Sequence, residues 1–188
     1  AEGTKRTNPK HSQGFEAQRS AGARRYRATV QRASWITPTT RDITLQLPQD
    51  GTWDAGQYAL VRVAPFEWRP YSIASAPGKA VRLLVDVRTQ GHGAAWARHA
   101  QSGDEVDLEL PYGRFLHDTA AGGTHADTPP TCRRVFVATG TGIAPFLAEF
   151  EQSIRADDIL LLGLATTSDD LTTRLDAPPP HVIRCVSR

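Results

Sequence analysis

Arg69-Pro70-Tyr71-Ser72-Ile73-Ala74-Ser75 puts a cation, an aromatic ring and two hydroxyls on one β-like segment. In an extended strand, alternation sends Arg69, Tyr71 and Ile73 to one side and Pro70, Ser72 and Ala74 to the other. A guanidinium grips a diphosphate bidentately, a phenol ring stacks on a flat heterocycle, and a serine hydroxyl bonds its edge. These are the groups needed to hold a flavin nucleotide. The same residues also suit an ordinary half-buried strand with a surface arginine, so the tetrapeptide alone leaves both readings open.

A second stretch narrows the choice. Val135-Phe136-Val137-Ala138 is a short continuous apolar run, as expected of a strand buried on both faces. It leads through Thr139 into Gly140-Thr141-Gly142 and then into a helical pattern, Ala144 to Ile154, with Pro145 suited to the first turn. Glycines let the backbone approach a ligand closely, and a helix's free N–H groups and dipole favour phosphate. A Gly-Thr-Gly turn by itself marks any tight strand-to-helix connection. In this order and spacing the two stretches are specific.

The elements that must position these residues follow from periodicity. Ile43, Leu45 and Leu47 alternate with polar neighbours, as do Val106, Leu108 and Leu110, and Val81, Leu83, Val85 and Val87 alternate with Arg82, Leu84, Asp86 and Arg88. With Tyr26 to Ala33, Gln57 to Val63 and Arg69 to Ser75 they make about six strands, separated by turns at Gln49-Asp50-Gly51, Asp54-Ala55-Gly56 and Ala76-Pro77-Gly78. Short strands at this spacing predict a barrel or sandwich. A helix over Gly93 to Ala100 interrupts them; its start can offer backbone N–H groups to a phosphate, and Trp96 can anchor it as a plug on the barrel end.

Beyond the polar span 117–131, strand Val135–Ala138, helix Ala144–Ile154, strand Ile159–Leu164, a short helix near Asp169–Leu175 and strand His181–Val186 predict a parallel α/β sheet. Ligands of such sheets bind beyond the carboxyl ends of the strands, where Gly140 to Gly142 fall. The expected organisation is a disordered tail over 1–23, a flavin-binding six-stranded antiparallel β-barrel over 24–116, a linker over 117–131, and an α/β nucleotide-binding domain over 132–188. Three strands make that last unit small, and it reads as incomplete.

Composition excludes several classes. A net charge of +2 over 188 residues makes no global case for nucleic acid. The longest apolar run, Ile159 to Ala165, falls far short of a membrane span, which points to a soluble, cytoplasmic protein. Two cysteines cannot build a disulfide framework or a four-thiolate cluster, and six histidines without ligand spacing give no metal site.

The chain resembles the ferredoxin–NADP+ reductase family. Arg69, Tyr71 and Ser72 match its Arg-x-Tyr-Ser signature, and Gly140 to Pro145 match its Gly-Thr-Gly-x-Ala-Pro signature. The likeness covers roughly 24–188 and implies a C-terminally truncated member, since no Cys-Gly-x-Pro-like turn follows. It implies that FAD binds through Arg69 on the diphosphate, with Tyr71 on the isoalloxazine and Ser72 near its reactive nitrogen, the latter two forming the catalytic pair. Val87, Arg88, Gly93, Ala94 and Ala95 would support the flavin's phosphates. Ala94 lacks the family's usual hydroxyl there, which leaves the backbone. Thr139, Gly140, Thr141 and Gly142 would carry the diphosphate of NADP, and Ser187 and Arg188 its 2′-phosphate, favouring NADPH. The implied activity is reduction of FAD by NADPH and electron delivery to a ferredoxin, a flavodoxin or an oxygenase. A free-flavin or ferric-chelate reductase and a non-catalytic flavin-holding subunit remain alternatives. Arg62, Arg69, Arg88 and Arg114 are candidates for docking an acidic carrier.

Overall fold

The computed structural model describes residues 22–116, 133–174 and 181–187. The expected linker, most of the tail, Cys132 and Arg188 lie outside them. Among the described residues the period-two pattern becomes a six-stranded antiparallel sheet of β1 (Arg24–Thr37), β2 (Thr40–Gly51), β3 (Tyr58–Ala64), β4 (Glu67–Ser72), β5 (Gly78–Asp86) and β6 (Glu105–Tyr112). The strands lie in the order β4-β3-β6-β1-β2-β5. The two ends meet through an Ile73–Leu83 bridge and the Ala74 N–H on the Arg82 carbonyl (2.8 Å), which curls the sheet toward closure.

Alternating side chains fill the barrel: Tyr26, Ala28 and Val30 from β1, Ile43, Leu45 and Leu47 from β2, and Val106, Leu108 and Leu110 from β6. Helix α1 (His92–His99) closes one end. Its anchors differ from the expected one. Ala94 and Ala97, with Ala100 just beyond the helix, enter the core, while Trp96 stays half-buried and faces Tyr71. Small residues at this spacing let the helix backbone settle close onto the barrel, which a tryptophan at the contact would prevent.

The parallel sheet is β7 (Val135–Thr139), β8 (Ile159–Leu164) and β9 (His181–Val186), in that order. Helix α2 (Ala144–Ser153) covers one face with Phe146, Leu147 and Phe150 against Phe136, Leu160 and Leu162. The expectation that β7 is buried on both faces is not met: Val135 and Val137 are 53% and 66% exposed, and Ile183 on β9 is 50% exposed. A continuous apolar run does not distinguish a one-sided from a two-sided strand. Near 169–175 short 3-10 turns, Thr167–Asp169 and Leu171–Arg174, replace the expected helix. Asp170 takes both the backbone N–H (2.9 Å) and the hydroxyl (2.6 Å) of Thr172, a local bonding pattern that competes with helix propagation.

The two units share a core. Ile36, Ala55, Ala74, Leu84 and Leu116 from the barrel region join Ile143, Phe146, Leu147 and Leu171 in one buried cluster. Each buried leucine or phenylalanine contributes about 1.5–3 kcal/mol, so the contact is a substantial part of the second unit's stability. The Glu151 carboxylate, accepting the Ala76 N–H at 2.7 Å, adds a polar tie from α2. Beneath α2, Arg134 is buried with Glu149 (2.6 Å) and Asp158 (2.5 Å), joining the starts of β7 and β8 to the helix. No helix of the described residues is long and apolar enough to cross a membrane.

Candidate functional site

Strand β4 carries Glu67, Arg69 and Tyr71 on one face, at the two-residue period of a strand, and that face looks onto the start of α1. Contact is close at Gly93, where an added Cβ would collide with the Tyr71 hydroxyl and come within 3.6 Å of Arg69 Cγ. A glycine at this point lets the first turn of α1 rest directly on the Arg69–Tyr71 strand. That turn has no side-chain cap and no acidic residue, so no side chain of its own compensates its leading N–H groups. The Tyr71 ring lies 6.0 Å from Trp96, tilted by 36°, and burial pushes its hydroxyl up to about 12, with Arg69 opposing the shift. The phenol is therefore neutral, and available as a hydrogen-bond donor, throughout the physiological range.

Glu67 was not singled out by the sequence, yet it holds the centre of this cluster. One carboxylate oxygen meets Arg69 at 2.5 Å and the other meets His92 Nδ1 at 2.5 Å. Bonding to His92, aided by Arg69, holds the Glu67 carboxyl below the usual carboxylate range. Ser72 ends β4 on the opposite face from Tyr71, the side on which Ala74 enters the core shared with the second unit.

The remaining residues fall into distinct groups. Ala94 is buried in the barrel core and Ala95 is half-buried, so both present backbone rather than side chain. Val87 also turns into the core. Its N–H bonds the Thr39 carbonyl at 2.9 Å and its own carbonyl accepts Arg98. Arg88 is exposed and paired with Asp86 at 2.5 Å. Of the candidate docking arginines, Arg62 is likewise matched by Asp107 (3.1 Å) and Arg69 by Glu67, so their charges are partly neutralised.

At the carboxyl end of β7, Thr139 leads into a 3-10 turn, Gly140–Ile143, which stands between the strand and α2. The expected glycine turn between strand and helix takes this 3-10 form, closed by the Ala144 N–H on the Thr141 carbonyl. Gly140 has φ of 49°, the left-handed region where a glycine avoids the Cβ penalty. Thr141 is half-buried and Gly142 exposed, while Ile143 is fully buried and pins the turn to the shared core. The same cluster contains Ala74 and Leu84, so packing draws the two sequence motifs toward one side of the molecule. Ser187 continues the ladder beyond β9 through its N–H on the Leu164 carbonyl (3.0 Å). Arg184 is engaged by Asp170 and by Thr172 (2.9 Å), so it adds little free positive potential beside Ser187.

No protein-family model matches the chain. In sequence it is 27% identical over 167 residues to reductase component 2 of terephthalate 1,2-dioxygenase from a Comamonas species, covering 84% of this chain and 47% of that protein. In fold it is similar to the ferredoxin reductase in carbazole 1,9a-dioxygenase, with a TM-score of 0.73 and 19% identity over 90% of this chain and 52% of that one. It is also similar to a ferredoxin NADP+ reductase from Neisseria gonorrhoeae solved with bound FAD and NADP, with a TM-score of 0.67 and 21% identity over 88% of this chain and 68% of that one. In fold the chain is like the ferredoxin reductases. It spans about half the length of the Comamonas reductase component.

The groups gathered at β4 and the start of α1 have the chemistry to meet an anionic ligand. Gly93 in the uncapped first turn of α1, the Arg69 side chain and the neutral Tyr71 hydroxyl come together at one place. Among the described residues Glu67 is a group of the wrong sign there.

Proposed function

We propose that this chain supplies the flavin-binding barrel, over 24–116, and the adjoining nucleotide unit, over 132–188, of an oxidoreductase that reduces FAD with NADPH. The electrons then pass to a ferredoxin, a flavodoxin or the oxygenase component of a larger system. The single observation that carries the reading is the packing of Arg69 and Tyr71 against the bare start of α1 at Gly93. Bound FAD would take up an electron pair from the nicotinamide and release it one electron at a time.

The protein's own residues bind and orient. Arg69 and the leading N–H groups of α1 receive the diphosphate, and Arg88 lies at the near end of the same loop. Gly93, Ala94 and Ala95 contribute backbone, while Val87 holds the loop to the barrel. Tyr71 and Ser72, on opposite faces of one strand, flank the ring system and its edge. The turn Thr139 to Gly142 receives the nicotinamide nucleotide's diphosphate, and Ser187 with Arg188 meets a 2′-phosphate. None of these groups needs to move a proton in the electron-transfer step. A relative named as a dioxygenase reductase component supports an oxygenase-type acceptor, and a cytoplasmic location accords with that role.

The test is an anaerobic titration of the flavin-loaded protein with NADPH, followed by addition of ferredoxin or cytochrome c. Bleaching of the visible flavin band and its return on adding the acceptor are expected. A flavin-loaded protein that NADPH does not reduce is a holder and not a reductase.

A further inference from the structure

Glu67 sits where an anionic ligand of Arg69 would sit. Its carboxylate spans 2.5 Å contacts to the Arg69 guanidinium and to His92 Nδ1, at the first residue of α1. The three side chains are partly exposed, 28% for Glu67, 55% for Arg69 and 66% for His92, although the Glu67 oxygen facing Arg69 is itself covered. A diphosphate entering this place would set two anions against one guanidinium, a repulsion only partly screened at a protein surface.

We infer that Glu67 is a placeholder for the cofactor's diphosphate: it holds Arg69 in the flavin-free protein and gives it up, keeping its contact with His92, when the diphosphate arrives. This rests on the flavin-binding reading and adds an exchange step to it. Arg69 exchanges one anionic partner for another.

The other charged groups of these elements are engaged elsewhere. Arg98 of α1 turns back onto the Val87 and Thr89 carbonyls, His99 bonds the Ala95 carbonyl at 2.8 Å, and Arg88 is paired with Asp86. From β4 only Glu67, Arg69 and the neutral Tyr71 face His92 among the described residues.

The experiment is isothermal titration of FAD into the whole chain. Glu67→Gln is expected to bind FAD up to about fivefold more tightly than the parent, the size of an exposed charge pair. Riboflavin, which has no diphosphate, should not respond to Glu67→Gln. Unchanged or weaker FAD binding by Glu67→Gln, or an equal gain for riboflavin, would overturn the inference while leaving the flavin reading intact. A folded parent that binds no FAD would overturn both.

Discussion

Adding one methyl group at Gly93 tests the contact on which the site is built. A Cβ at this position falls deep inside contact distance of the Tyr71 hydroxyl, with Arg69 Cγ next at 3.6 Å. Tyr71 has little freedom to withdraw, because its ring borders the barrel core and lies 6.0 Å from Trp96. Overpacking of this kind costs about 1–3 kcal/mol. Replacing glycine by alanine in a helix interior returns up to about 1 kcal/mol, but less in a first turn such as this one. The expected net loss for Gly93→Ala is therefore about 1–2 kcal/mol in urea unfolding of the flavin-free protein. Tyr71→Phe removes the atom in the way, so the double variant should recover most of that loss and show a coupling of about 1 kcal/mol or more. If the two substitutions add to within about 0.5 kcal/mol, the Gly93–Tyr71 contact does not exist as described.

Further outcomes follow from other parts of the molecule. Arg69→Ala should weaken FAD binding by about 1.5–3 kcal/mol, the contribution of a charge-assisted contact, measured by flavin fluorescence; an unchanged Kd would make Arg69 a surface charge only. Because burial raises the Tyr71 hydroxyl from 10.0 to about 12, the folded protein holds a proton that the unfolded chain has released between those values. The Tyr71 contribution to stability is therefore complete below about pH 10 and lost as pH rises toward 12, and Tyr71→Phe should remove this alkaline component from unfolding curves. Asp158→Asn should cost about 3–5 kcal/mol in thermal or urea unfolding, because it breaks a fully buried pair with Arg134. Burial pushes the Asp158 carboxyl up, but bonds from Arg134 and the Arg155 N–H outweigh it and hold it below the usual range. Its contribution is therefore present above about pH 4 and lost on acidification, a limb the Asn variant should lack. Arg188→Ala should reduce a preference for NADPH over NADH in kcat/KM; an unchanged ratio would remove Arg188 from the nucleotide site.

The barrel was legible because half-buried antiparallel strands write their burial into the sequence residue by residue, as in Ile43, Leu45 and Leu47 on β2. The Arg69–Tyr71 face was legible for the same reason. Three features were not. Val135 and Val137 carry the composition of a two-sided strand, and nothing in the run itself says which face a helix will cover. The shared core joins Ile36, Ala74 and Leu84 to Ile143 and Leu171 across large sequence separations, where no local period speaks. The Glu67–His92 pair unites the start of a strand with the start of a distant helix, and each alone reads as an ordinary surface charge. A signal was available in hindsight: Glu67 shares the two-residue period of Arg69 and Tyr71 and must lie on their face. The helix expected near 169–175 failed for a local reason, since Asp170 satisfies Thr172 by a bond that periodicity does not register.

The most direct measurement is the equilibrium binding of FAD to the purified chain, followed by quenching of tryptophan fluorescence, to which Trp96 beside Tyr71 reports. Saturable binding of one FAD per chain is predicted, with affinity lowered by Arg69→Ala and by Gly93→Ala. A folded chain that shows no saturable FAD binding, or one whose affinity neither substitution changes, would contradict the assignment of β4 and the start of α1 as the flavin site.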